Sequence, residues 1–435
     1  MTPELTALVE SFQKHLYLPD PGPILVTLGT IAANRLPGDP VWLLLVGPPG
    51  NLKTEILQPT AGLDDVHPVG NITEAGLLSG VGSAERTSDA TGGLLREIGD
   101  FGIILCKDFT SVLSSRRDTR AQVLAAFREI YDGSWIRVLG SDGGRSFEWQ
   151  GKVGFIGGVT PVIDTHHAVM STMGERFILY RMPELDEIRQ AEAALDHASI
   201  GEQMRLDLSA AVEEFMTSTP RHDVDTDKTP EEIGHLTVLA TFLARARSSA
   251  VRDGNSRQID LFLPPETPGR IVIVLDRLRA GLMSIGVDRR AATGLVTTVA
   301  FDCMPVIRSA LLRHMARHVD ERFLLSDLAN AAGHPRGTTL RHLEELEHYD
   351  LTRRNGRGPG LADEWFLSDL SREYLAVIEG RDPSTLDTRT ATVPETSTPS
   401  LPDTVSEMSL ITKNQRGHSG SGRGILRNPD DEVVK

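Results

Sequence analysis

The chain has 435 residues, 40% of them hydrophobic, and a formal net charge of −15. That length allows two or three domains at about 150 residues each. The charge excludes a surface coated in basic residues, so any nucleic-acid contact must rest on a local patch.

No apolar run reaches the roughly 20 residues of a bilayer span, and MTPELTALVESFQKHL has no basic start leading into an apolar stretch. Cys106 and Cys303, the two cysteines, each sit in an apolar run, offer no metal-ligand spacing and suit a reducing compartment. The expectation is a soluble, cytoplasmic protein without a membrane partner. Residues 1–40 read as short helices broken by LPDPGP and LPGDP. Residues 41–46 (VWLLLV) are apolar on both faces and short, as a buried parallel strand is. Residues 102–106 and 153–157 read as two more such strands, with a helix over 120–131 between them. Strands alternating with helices predict an α/β fold, a parallel sheet covered by helices. Within 134–150, two alternating segments flank Ser141-Asp142-Gly143-Gly144, a hairpin signal. Residues 186–316 are mostly amphipathic helix. From 380 to 435 the composition turns to Ser, Thr, Pro, Asp and Gly, which predicts a disordered tail.

The main chemical signal is Gly47-Pro48-Pro49-Gly50-Asn51-Leu52-Lys53-Thr54, placed between a buried strand and a helix as a phosphate loop requires. Backbone N–H groups there can cradle phosphates. Lys53 would reach the β- and γ-phosphates of ATP and Thr54 would ligate Mg²⁺. Leu52 stands where the usual G-x-x-x-x-G-K-[ST] pattern has glycine, so the loop is expected to differ slightly in backbone angle. The second strand ends in Lys107-Asp108, where two acids ordinarily stand. Asp108 is the candidate for holding the Mg²⁺ water shell or polarising the attacking water. Thr160, ending the third strand, is a candidate γ-phosphate sensor, and Arg176 a candidate finger for a neighbouring subunit's γ-phosphate. Asp164, His166 and His167 lack a third spaced ligand and read as a structural or substrate-facing loop rather than a metal site.

Taken in order, these features resemble the AAA+ ATPase module of the minichromosome maintenance (MCM) helicases, over about residues 40–290, and most nearly the divergent type of actinobacteria, phages and mobile elements. Those proteins tolerate a non-glycine before the phosphate-loop lysine. Residues 76–102 look like their insert before the second strand, the 134–150 hairpin like their DNA-contacting hairpin, and Gly174-Glu175-Arg176-Phe177 like their finger motif. Thr267-Pro268-Gly269-Arg270 resembles their sensor-2 region, which makes Arg270 a nucleotide-binding candidate. Lys107 departs from the pattern. The resemblance implies that Arg137, Arg145 and Lys152, with Trp135, Phe147 and Trp149, meet DNA; charge plus stacking would suit single strands, and aromatics packed on the sheet are the alternative.

Residues 322–367 read as a winged helix-turn-helix: a helix opening at Leu325 with Ser326 as N-cap, a turn at Gly333-His334-Pro335, a second helix over 338–348, and two wing strands around NGRGPG. Arg336, Arg341, Arg353, Arg354 and Arg357 form its basic patch. The predicted organisation is a 1–40 helical segment, a 41–185 AAA+ core, a 186–316 helical lid, a 317–372 winged helix-turn-helix and the tail. The function this predicts is an ATP-hydrolysing, helicase-like DNA motor or remodeller working as a homo-oligomer, with a hexameric ring as the candidate form. The alternatives are a sequence-specific DNA-binding regulator switched by ATP, and an assembly ATPase acting on proteins.

Overall fold

An unbroken apolar run has nowhere to go but inside a covered sheet, and in the computed structural model Trp42–Val46 forms β1, buried on both faces. The structure describes residues 1–78, 93–139, 145–166, 176–197, 199–218, 227–253 and 258–380. β1 belongs to a five-stranded, all-parallel sheet ordered β2 (Val66–Val69), β3 (Phe101–Cys106), β6 (Lys152–Val159), β1 and β7 (Phe177–Arg181). The expected α/β class is what forms. β2 and β7 were not expected: β2 is a four-residue edge strand carrying Pro68, too short and too polar to leave a pattern. Between β3 and β6 the chain makes the antiparallel hairpin β4 (Ser134–Leu139) and β5 (Arg145–Gln150).

Alternation along the strands splits the sheet's side chains between two cores. Leu43, Leu45, Leu105 and Ile156 face one side, covered by α1 (Pro3–His15), α2 (Gly22–Arg35) and the helices after β7. Trp42, Leu44, Val46, Phe155 and Phe177 face the other, against α7 (Arg117–Tyr131) and the hairpin. Short helices α3 (Lys53–Leu57), α4 (Glu74–Leu77), α5 (Leu94–Ile98) and α6 (Thr110–Leu113) connect the strands. On the second side Trp42, Phe109, Phe127, Phe155 and Phe177 meet with ring centroids 5.0 to 6.3 Å apart, the spacing aromatic pairs prefer.

Helices α8 (Glu187–His197), α9 (Gly201–Ser218), α10 (Pro230–Arg247), α11 (Gly269–Ser284), α12 (Arg289–Asp302) and α13 (Val306–Ala316) follow. Between α10 and α11 lies an unexpected ribbon, β8 (Ala250–Arg252) with β9 (Ile259–Phe262). The chain then forms β10 (Phe323–Leu324), α14 (Leu325–Ala332), α15 (Arg336–His348), β11 (Thr352–Asn355), β12 (Glu364–Leu367) and α16 (Asp369–Ile378), with a three-stranded antiparallel sheet ordered β10-β12-β11. The first apolar core runs without a break from Leu5 to Ile378, and residues 1–386 cluster as one compact unit. No helix among the described residues is long and apolar enough to cross a membrane. The predicted tail falls almost wholly outside the described residues, and so do Ser141 to Gly144, the hairpin tip.

Every residue of α2 except Arg35 is buried, because α2 lies between the sheet and α11. A Cβ at Gly281 would stand 2.1 Å from the Gly29 carbonyl oxygen, so only glycine lets the two backbones approach this closely. Gly281→Ala is expected to lose about 1–3 kcal/mol in urea unfolding. Gly234→Ala, on α10 with nothing within 4 Å of the new Cβ, should gain about 0.5–1 kcal/mol. Equal effects at the two sites would contradict this packing.

Candidate functional site

The ladder of β1 continues into the candidate phosphate loop, where the Gly47 N–H donates to the Val159 carbonyl at 3.1 Å. Asn51 N–H then donates back to Pro48 O at 3.3 Å, turning the chain. Gly50 takes φ +80° and Leu52 φ 51°, ψ −2°. The expectation that leucine would force a different loop is corrected here. Leu52 adopts the left-handed conformation that the usual glycine takes freely. A leucine does so at a strain of roughly 1 kcal/mol or more; Leu52 is half-buried and packed against the main core. α3 starts at Lys53 and gives way to a 3₁₀ turn at Gln58–Gly62, with Pro59 in its first turn.

Lys53 is 9% exposed. Its Nζ donates to Gly47 O at 2.6 Å and Pro48 O at 2.7 Å. Burial lowers its pKa, and the negative charge of Asp108 opposes that shift. Asn51 is buried, and its side-chain oxygen has no hydrogen-bond partner. Thr54 is exposed. Beside the loop opens a cleft of about 590 Å³, lined by Gly50 to Glu55, by His15, Leu16 and Tyr17, and by α8 and α9. Two of its residues were missed by the sequence reading. Gln190 Nε2 donates to Gly50 O at 2.8 Å, and Arg205 pairs with Glu55 at 2.7 Å. Both lie on ordinary amphipathic helices, and only the fold brings them to the loop.

β6 separates β1 from β3, so the residues ending all three strands share one edge, where ligand sites of open α/β sheets form. Lys107 and Asp108 are exposed there. An Asp108 oxygen accepts from Thr110 N–H at 3.0 Å. Thr160 N–H donates to Thr110 Oγ1 at 3.0 Å, and Thr110 Oγ1 donates to Thr160 Oγ1 at 3.3 Å. Lys53, Thr54, Asp108 and Thr160 therefore do gather on one edge.

Arg176 and Arg270 do not join them. Arg176 precedes β7, whose Phe177 pairs with Trp42 at the start of β1, so it sits at the sheet edge away from the loop. It is 6% exposed, pairs with Asp132 at 2.9 Å and lies over the Tyr131 ring at 5.3 Å. Burial pushes the Tyr131 hydroxyl up to about 12, with the charge of Asp39 adding and those of Arg270 and Arg176 opposing. Arg270 thus lies with Arg176, near Tyr131. Asp164 pairs with Arg181 at 2.7 Å. His167 lies outside the described residues.

Of the two readings of the hairpin, the one with its aromatics packed inward is what forms. Trp135, Phe147 and Trp149 are buried in the second core, and Trp149 Nε1 donates to Gly99 O at 2.9 Å, so none is open to stacking with bases. Arg137 pairs with Glu74 at 3.1 Å and donates to Leu78 O at 2.5 Å. Lys152 donates to Leu36 O at 2.6 Å, and burial, aided by Arg277, brings its pKa down to about 8. Arg145 opens β5 opposite Leu139. The outward face instead shows Ile136 and Val138, 62% and 67% exposed.

In the C-terminal module α14, a turn through left-handed Gly333 and α15 lead into the β11–β12 pair. Ser326 lies inside α14 and bonds Asp327, so the N-cap expectation is corrected: Leu324 holds that position without a side-chain bond. The basic patch is largely neutralised. Arg353 pairs with Asp350 at 2.7 Å, Arg354 sits 3.9 Å from both Glu347 and Asp363, and Arg357 is 3.5 Å from Glu364. Arg336 is exposed, and among the described residues the Arg341 side chain bonds Gly337 O and Thr338 Oγ1. The β8–β9 ribbon covers the other end of α15, with Arg252 on Glu344 and Glu345 and the Phe262 ring stacked on His348 at 3.4 Å.

No protein-family model matches the chain, and no curated protein matches it either.

Proposed function

We propose that the chain is a P-loop ATPase of the AAA+ type that works as a homo-oligomer and acts on DNA. The observation that carries this reading is the phosphate loop itself: Gly50 and Leu52 both at positive φ, leading into Lys53, with Asp108 and Thr160 on the same sheet edge. A loop of that shape turns successive N–H groups toward an anion, and Lys53 would leave the Gly47 and Pro48 carbonyls for the phosphates. The donor set suits Mg²⁺, with the Thr54 hydroxyl and the Asp108 carboxylate as hard oxygen ligands, direct or through water. The ion would neutralise charge developing on the transferred phosphoryl group. Thr160, held through Thr110, would orient the water. The cleft beside Tyr17 would take the nucleoside.

Arg176 and Arg270, at the far edge, would serve a neighbour's nucleotide, which is why an oligomer is proposed. Arg176 would first exchange Asp132 for that phosphate. α14, α15 and the β11–β12 pair are read as a winged helix-turn-helix, with Arg336 and Arg341 as its phosphate contacts. The experiment is ATP turnover with and without DNA: DNA should raise the rate, and Arg336→Glu with Arg341→Glu should remove the increase while leaving basal turnover. A footprint on one defined sequence with little turnover would favour the ATP-switched regulator instead. The second reading, an assembly ATPase acting on protein, is favoured by the exposed Ile136 and Val138 of the hairpin. It predicts turnover indifferent to any DNA.

A further inference from the structure

The most unusual residue of the described chain is Leu52. Among the described residues it and Asp350 are the two non-glycine residues at positive φ, and Leu52 lines a cleft of about 590 Å³. An aliphatic side chain held in this conformation is strained, and such strain persists where the surroundings over-determine it, characteristically at ligand sites. Glycine would take the same angles freely, so loop shape alone gives no reason for a side chain here. What the leucine adds is apolar surface. It lines the cleft together with Leu16, Tyr17 and Met204, and Leu16 and Met204 belong to the same core cluster that Leu52 packs against. Lys53, which lines the same cleft next to Leu52, is the phosphate-binding candidate, and its Nζ rests on the Gly47 and Pro48 carbonyls.

We infer that Leu52 is a specificity-determining residue that recognises the nucleoside half of the ligand, separately from the phosphates. This rests on the nucleotide reading of the loop and extends it. The leucine forms an apolar step between the phosphate loop and the Tyr17 wall, against which the sugar and base pack. Ligands carrying a nucleoside are thereby selected over bare polyphosphates. A hydrophobic contact of this size is worth about tenfold in affinity.

The test compares ATP with inorganic tripolyphosphate in the full-length protein, both measured by competition against a fluorescent ATP analogue. Leu52→Gly keeps the backbone angles without strain, so it is expected to fold. It should weaken ATP about tenfold and leave tripolyphosphate within about twofold of wild type. Leu52→Met, which keeps apolar bulk, should restore most of the ATP affinity. If Leu52→Gly weakens both ligands equally, the side chain shapes the loop and the proposal is overturned while the loop reading stands. Unchanged affinity for both overturns it in the same way. If the wild-type protein displaces the analogue with neither ligand, the nucleotide reading fails and takes this inference with it.

Discussion

Lys53→Ala is expected to abolish ATP turnover, with a loss of at least about 10²–10³-fold, and to weaken ATP·Mg²⁺ binding beyond ready measurement. The reason is positional. Lys53 is held at the first turn of α3, and its ammonium already sits on the loop carbonyls of Gly47 and Pro48, one short swing from where phosphates would lie. Burial disfavours that charge in the free protein and Asp108 only opposes the shift, so a triphosphate would add counter-charge to that of Asp108. For the same reason the substitution should not lower the thermal midpoint of the unliganded protein, which separates lost chemistry from lost fold. Asp108→Asn should behave differently: Asp108 is exposed and accepts a hydrogen bond from the Thr110 N–H, so binding should survive while turnover falls. Full turnover in Lys53→Ala would remove the phosphate loop from the account altogether.

Arg308→Ala is expected to destabilise the protein by about 3–5 kcal/mol. Arg308 is 2% exposed and reaches across three elements. It donates to Ala246 O at 2.8 Å and to Ser248 O, and it pairs with the Glu345 carboxylate of α15. Burial lowers its pKa and Glu345 opposes that shift. Next to it His342 is brought down to about 3, first by burial and then by the charge of Arg308, so this corner already holds as much positive charge as it tolerates. Removing the guanidinium leaves two buried carbonyls unpaired and Glu345 with Arg252 alone. Breaking one partner of a buried pair is costly, whereas replacing both by apolar residues is often neutral. Arg308→Met with Glu345→Leu should therefore recover most of the loss in urea unfolding. A single-variant loss below about 1 kcal/mol would show that α15 is not docked in this way. The consequence for function is that the helix proposed to meet DNA is fixed to α10 and α13, so any movement of those helices carries it along.

The sequence by itself determined the elements whose signals are local. β1, β3 and β6 are legible because a strand covered on both faces must be apolar throughout, and the turn from Gly47 to Lys53 because it follows such a strand at once. The two helices α14 and α15 and the β11–β12 pair were legible from helical periodicity and a glycine-rich turn. Tertiary structure decided what those signals cannot contain. Whether a cation is available depends on partners distant in the chain: Glu74 holds Arg137, Asp132 holds Arg176, and the Leu36 carbonyl holds Lys152. The alternation in the hairpin showed two faces, but only packing on the sheet decided that the aromatic face turns inward and Ile136 and Val138 outward. Leu52 combines both levels. Its residue type argued against the left-handed angle, and the core beneath it together with the turn from Gly50 imposed that angle, because packing outweighs a local preference of about a kilocalorie.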